Sequence, residues 1–175
     1  WGQACFSISD GTRTVLADPF PADFGYKVPE VEAQVVLVTH EHRDHNAVDT
    51  VRGNPAVLRG PGRHEAAGLS ILGVPAFHDA EHGAKRGPNT LFTWEMAGLK
   101  LAHVGDLGHV LTDEQVVALA APVDVLMIPV GGYYTIDAVQ AVQVARQLQA
   151  RVILPMHVKT AALSRLPIAV VDDFL

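Results

Sequence analysis

The stretch "VVLVTHEHRDHN", residues 35–46, joins four consecutive apolar side chains to three histidines, a glutamate and an aspartate. The run Val35–Val38 has the pattern of a strand buried on both faces. Such a strand fixes position, and the loop that follows turns side chains outward, where working residues are usually found. A plain polar loop does not need His40, His42, Asp44 and His45 within six positions. In an extended segment His40 and His42 point to the same side, so both can grip one ion. The chain must then turn, which lets Asp44 and His45 reach a second ion nearby.

Three further clusters lie outward from this one. "FHDAEHG" carries His78 and His82, "HVGDLGH" carries His103, Asp106 and His109, and "PMH" ends at His157. Each sits where a predicted strand runs out into a loop. Neutral imidazole and carboxylate are ligands for zinc and related divalent ions. One ion would leave three clusters underused. Two ions about 3.5–4 Å apart would employ them all and could share a bridging hydroxide. Spacing alone does not choose between His78 and His82. The isolated His64 reads as an ordinary surface or core histidine.

The rest of the chain supplies a scaffold. "ACFSIS", "DG" and "RTVLADP" read as a hairpin. "NPAVLRGPG", "LSILGVPAFHD", "VDVLMIPV" and "RVILPMH" read as strands, and "GPNTLFTWEMAGLKLAHVGD" as a second hairpin turning at "AG". "DEQVVALA" reads as a short helix whose acidic start suits the helix dipole. "TIDAVQAVQVARQLQA" reads as a longer helix, with Thr135 as its cap and an apolar stripe of Ile136, Val139, Val142, Ala145 and Leu148. No repeat or composition break divides residues 1–175, so one domain is expected. Strands dominate the first half and alternate with helices later. The order fits two sheets covered outside by helices, a four-layer αββα sandwich of the α/β class.

Composition narrows the function. At 175 residues roughly 70% of the unfolded surface can be buried. The net charge of −6 argues against a large nucleic acid as partner, since such binders usually carry a basic stripe. The single cysteine, Cys5 in "ACFSI", excludes an internal disulfide framework and reads as a small buried hydrophobe. No run approaches 18 apolar residues, and no basic-then-apolar leader precedes the first strand, so no membrane partner and a cytoplasmic location are expected. Trp1 stands without a preceding Met and the chain ends on "VVDDFL". The domain therefore reads as trimmed at both ends.

"THEHRDHN" matches the HxHxDH motif of the metallo-β-lactamase superfamily. The order "FHD…GPNT", "HVGDLGH", "PVGGYYTIDA" and "PMHVKT" resembles the branch that contains ascorbate-6-phosphate lactonase-like proteins and many zinc-dependent hydrolases. The resemblance spans almost the whole chain. It implies an αββα fold with metals at the mouth between the sheets. It also implies that His40, His42 and His78 hold the first metal, that Asp44, His45 and His157 hold the second, and that Asp106 bridges both. One departure stands at the start: the family often opens "GHACF", and here "GQACF" places Gln3 where that histidine would be.

These readings point to a dinuclear metal-dependent hydrolase. Its hydroxide, with a pKa lowered from 15.7 to about 7, would attack a lactone, ester, amide or phosphoester. Two divalent ions are expected, zinc first, with manganese or iron also compatible with nitrogen and oxygen ligands. Asp44 would orient the hydroxide besides binding metal. His103, His109 and Tyr133 are candidates for stabilising an oxyanion. Glu41 and Asp79 are near enough in sequence to back the ligand histidines. The substrate is expected to be small and anionic, with Lys85, Arg86 and Asn89 in "AKRGPNT", the helix start after "GGYYT", and Lys159 as possible contacts. The alternatives are a phosphodiesterase or nuclease on the same scaffold and, from different classes, a diiron oxidoreductase and a metal-free binding module. The diiron branch usually has glutamate where His42 stands, and an attached flavin domain. A metal-free module would have lost ligand positions, and here all are filled.

Overall fold

The computed structural model describes all residues, 1–175. Strands β1 (Phe6–Ser9), β2 (Thr14–Ala17), β3 (Val35–Val38) and β4 (Ala56–Arg59) form one sheet in the order β1-β2-β3-β4. Strands β5 (Gly62–Ala66), β6 (Leu69–Phe77), β7 (Pro88–Met96), β8 (Leu99–His103), β9 (Val125–Pro129) and β10 (Val152–Met156) form the other, in the order β10-β9-β8-β7-β6-β5. The helices are α1 (Asp113–Ala118) and α2 (Ala138–Gln147).

The two faces of β3 explain its unbroken apolar run. Val35 and Leu37 face the other sheet, where they join Val15, Ala17, Ile71, Phe92, Trp94 and Met127 in a buried core. Val36 and Val38 face away, against Leu16, Phe20 and Cys5. A third apolar cluster lies between the six-stranded sheet and the helices, where Leu91, Ala102, Leu126 and Ile128 meet Ala141, Val144 and Leu148. The outer layer is uneven. Both helices cover the larger sheet. The outer face of the smaller one is closed by Phe24, Tyr26, Val48 and Val51, from loops that contain only the short 3₁₀ turns Ala22–Phe24 and Val48–Thr50.

Helix α2 starts later than Thr135. Asp137 is its cap: its carboxylate accepts the Gln140 amide at 2.9 Å, and Gln140 Oε1 accepts the Asp137 amide at 3.2 Å. The buried stripe shifts with it to Ala141, Val144, Ala145 and Leu148, and Val139 is 70% exposed. One strand was not foreseen: β5, "GRHEA", pairs antiparallel with β6.

Strand direction assembles the site. β8, β9 and β10 run parallel, and β6 runs with them because β7 reverses twice, against β6 and against β8. The C-terminal ends of β6, β8, β9 and β10 therefore share one edge. The end of β3 meets that edge from the other sheet, where Thr39 O accepts the Thr90 amide at 2.9 Å.

Candidate metal centre

Seven side chains converge where those strand ends meet. Nitrogens of His40, His42 and His78 lie within 4.8 Å of one another, as do donor atoms of His40, His45 and Asp106. Asp106 occupies the middle. Its Oδ2 lies 3.1 Å from His78 Nε2, 3.2 Å from His157 Nε2, 3.4 Å from His45 Nε2 and 4.0 Å from His40 Nε2. Asp44 Oδ2 is 3.5 Å from His45 Nε2 and accepts a hydrogen bond from Gln3 Nε2 at 2.8 Å.

The backbone is shaped to bring these groups this close. Gly105 has φ +53°, and a Cβ there would collide with Asn89 and Thr39. Asn89 Oδ1 accepts the Asp106 amide at 3.2 Å, while Asn89 Nδ2 donates to Val104 O at 2.9 Å. His157 is held with φ +55°, its amide donating to Gln3 O at 3.1 Å. A Cβ on Gly131 would overlap the His157 carbonyl oxygen. Glycine permits close approaches that no other residue can make.

Two histidines have their tautomers set from behind. Asp18, fully buried after β2, accepts the Thr39 amide at 2.9 Å and the Thr39 hydroxyl at 2.7 Å. The Thr39 hydroxyl hydrogen is thus committed, so His40 Nδ1, 3.0 Å from Thr39 Oγ1, is the donor of that pair. His45 Nδ1 donates to Asp18 Oδ2 at 3.0 Å. Both rings therefore turn Nε2 toward the cluster. This is how a carboxylate commonly fixes a ligand histidine.

Burial, reinforced by the neighbouring His45, holds the His40 imidazole down to about 3, neutral and ready to donate a lone pair. His45 is also desolvated, but Asp106 and Asp18 outweigh that and raise it well above the usual range. Burial pushes the Asp106 carboxyl upward, while His157 and His45 pull it far below its ordinary value.

The donor set fits a metal. Buried polar atoms normally have partners. Yet His40 Nε2, His45 Nε2, His78 Nδ1, Asp106 Oδ1 and His157 Nδ1 have none. His40 Nε2, His45 Nε2 and Asp106 Oδ1 belong to the cluster itself, whereas the Nδ1 atoms of His78 and His157 lie across the ring from the Nε2 atoms that meet Asp106. Cys5 is not among the donors, and burial pushes its thiol up to about 12.

A family model described as a β-lactamase superfamily domain matches residues 1–157. The chain belongs to the metallo-β-lactamase superfamily. Among its superfamily relatives, a UPF0173 metal-dependent hydrolase from Thermococcus onnurineus is 30% identical over 187 residues, covering 91% of this chain and 83% of the relative. A crystal structure of a presumed Zn-dependent hydrolase of the metallo-β-lactamase superfamily from Thermotoga maritima superposes with TM-score 0.83 at 41% identity. That match covers 99% of this chain and 81% of the other. Igni18, a metallo hydrolase from Ignicoccus hospitalis, shares the fold at TM-score 0.70 and 20% identity, with 90% and 80% covered.

Within this metallo-β-lactamase scaffold not every anticipated residue reaches the site. His103 does not. It is fully buried, donates from Nε2 to Ala4 O at 2.8 Å and accepts the Gly105 amide on Nδ1 at 3.2 Å, so neither nitrogen is free for a substrate. His109 is likewise occupied, by Val110 O and the Phe77 amide. Tyr133 is 66% exposed and lines a different hollow, beside Val139 and Pro167. Its neighbour Tyr134 faces the cluster instead, its ring 6.3 Å from His157. His82 lies on the surface against Phe77, away from the cluster that takes His78.

The expected backing residues differ as well. Glu41 pairs with Arg59. Asp79 accepts the amides of Glu81, Gly83, Lys85 and Arg86 and so folds a loop rather than orienting a ligand. Asp18 and Thr39 do the orienting. Of the expected substrate contacts, Lys85 pairs with Glu81, Asn89 supports Asp106, and Lys159 lies outside the cavity. Arg86 does line it. The cavity beside the cluster holds about 340 Å³, walled by Gln3, Phe24, His42, Asp44, Arg86, Tyr134 and Leu166, with Asp106 at its base.

Proposed function

We propose that this chain is a dinuclear metal-dependent hydrolase acting on a small lactone, ester, amide or phosphoester. Membership of a superfamily whose curated relatives are named metal-dependent hydrolases carries the coarse part of the reading. The histidine and carboxylate side chains gathered around Asp106, with His40 Nε2, His45 Nε2 and Asp106 Oδ1 buried without partners, support the finer part, because such a donor set suits cations.

His40, His42 and His78 would hold one ion. Asp44, His45 and His157 would hold the other, with Asp106 shared. Two divalent ions, zinc first for a nitrogen and oxygen set, would supply Lewis acidity and a water acidified toward neutral pH. The chain's own residues perform the remaining tasks. Gln3 holds Asp44 Oδ2 by a hydrogen bond, leaving the other carboxylate oxygen to orient a water for attack. His42 and Tyr134 border the cavity that admits the substrate, and Phe24 and Leu166 give it an apolar side. The lactone option remains part of this proposal through the similarity of the motif order to lactonase-like proteins.

Metal analysis tests the reading directly. The purified chain should contain about two equivalents of metal. His40→Ala and Asp106→Ala should each lose most of it while keeping a native circular dichroism spectrum. A native chain that holds no metal, and takes up none from zinc or manganese solutions, would end the proposal.

A further inference from the structure

The loop from Asp79 to Gly87 presents an arginine whose charge the protein leaves unanswered. Arg13 and Arg86 are the two half-buried arginines of the chain. Arg13 is paired with Asp10 at 2.6 Å. Arg86 has no carboxylate within 4.0 Å, although burying a charge without a partner is costly. Of the five N–H donors a guanidinium carries, only an Nη2 hydrogen has a protein acceptor, Tyr133 O at 3.2 Å.

The side chain is nevertheless held in place. Its Cζ stacks 5.5 Å from the centre of the Tyr134 ring, within cation–π range. Its amide donates to Asp79 Oδ2 at 2.7 Å, and three more amides of the same loop converge on that carboxylate. Arg86 also lines the same cavity as Asp44, Asp106 and His157. A fixed, half-desolvated guanidinium with free donors beside a hydrolytic centre matches the planar geometry of a carboxylate or phosphoryl group.

We propose that Arg86, braced by Tyr134 and the Asp79 loop, is an anion-binding subsite, and that the substrate carries an oxyanion separate from its scissile bond. This rests on the hydrolase reading for its location and adds the chemical class of the substrate. Arg86 acts in specificity, holding the part of the substrate that does not react.

The test uses calorimetric titration of the zinc-treated protein at fixed ionic strength. The probes are inorganic phosphate, succinate, and succinamide as the neutral counterpart of succinate. The native chain should bind at least one anion and should ignore succinamide. Arg86→Gln should weaken that anion about tenfold or more, and Arg86→Lys by less, since it keeps the charge but not the fork. Metal content and melting temperature of both variants should match the native chain. The anion that loses affinity identifies the source, phosphoryl or carboxylate. Equal affinity in the native chain and Arg86→Gln overturns the proposal. So does a native chain that binds neither anion. A lowered melting temperature with unchanged anion affinity also overturns it, making Arg86 a latch for the Tyr133–Tyr134 turn. Failure of the hydrolase reading shows separately, as absence of metal. The Arg86 comparison is then read on the metal-free chain.

Discussion

Asp18 never touches the cavity, yet three hydrogen bonds end on its carboxylate: the Thr39 amide, the Thr39 hydroxyl and His45 Nδ1. Replacing it by asparagine keeps the volume and removes one acceptor. The amide nitrogen then replaces either Oδ1, where it faces the Thr39 backbone N–H, or Oδ2, where it faces the Thr39 hydroxyl and the His45 Nδ1–H, and donors clash either way. Asp18→Asn should therefore cost about 10–100-fold in zinc affinity, measured by competition with a coloured chelator. Affinity equal to the native chain would reduce Asp18 to a packing residue. The contrast with the clustered histidines and carboxylates shows what the sequence discloses. His40, His42, Asp44 and His45 were readable because they crowd into six positions after a buried strand. Asp18 was not, because it lies 27 residues from His45 and looks like any aspartate at a strand end. His103 shows the same limit in reverse. Its ring is spent on Ala4 O, 99 residues away, and only the packing of the two sheets reveals that.

Among the elements, the loop after β6 makes the clearest physical claim. Asp79 is buried, which by itself would raise its carboxyl, but the amides of Arg86, Gly83, Lys85 and Glu81 outweigh this and hold it at about 2. An acid whose pKa is depressed by folding stabilises the fold above its unfolded value near 3.9 and loses that contribution as pH falls toward the folded value. Asp79→Asn should melt about 3 °C or more below the native chain, a shift typical of a modest stability loss at this size. The gap should be constant from pH 8 to pH 5 and should close below pH 4. Thermal melts of both proteins across that range decide it. A gap unchanged at pH 3 would mean that the carboxylate is not what folds the loop. Regular elements were easier to read than this loop. Val35–Val38 and the β7–β8 hairpin followed from apolar runs and turn residues. The start of α2 was placed two residues early, although "DAVQ" carries the capping box that Asp137 and Gln140 form. β5 stayed hidden because "GRHEA" has neither an apolar run nor a clear alternation, and pairing with β6 decides it.

Across the whole molecule, the proposed centre joins what the chain keeps apart. His40 and His45 follow β3 of the smaller sheet, whereas His78, Asp106 and His157 follow β6, β8 and β10 of the larger. The sheets already share an apolar core, but at their common edge the contacts are histidines around two carboxylates, with donors left over. Cations bound there would tie the two sheets together at their common edge. The site would also exist only in the folded chain, since the four strands whose ends carry these side chains converge only on folding. A ligand that binds the native state alone stabilises it by about 2.7 kcal/mol at a hundredfold excess over its dissociation constant. For a chain of this length that corresponds to about 5–10 °C in melting temperature. Adding a strong chelator should therefore lower the melting temperature by that amount, and zinc should restore it. In Asp106→Ala, where the shared carboxylate is gone, chelator and zinc should have little effect. The loss of response in the variant is the deciding result, because nonspecific binding of zinc to exposed histidines such as His82 would survive the substitution. A native melting temperature indifferent to both additions would mean that the partnerless donors at the sheet edge do not hold metal.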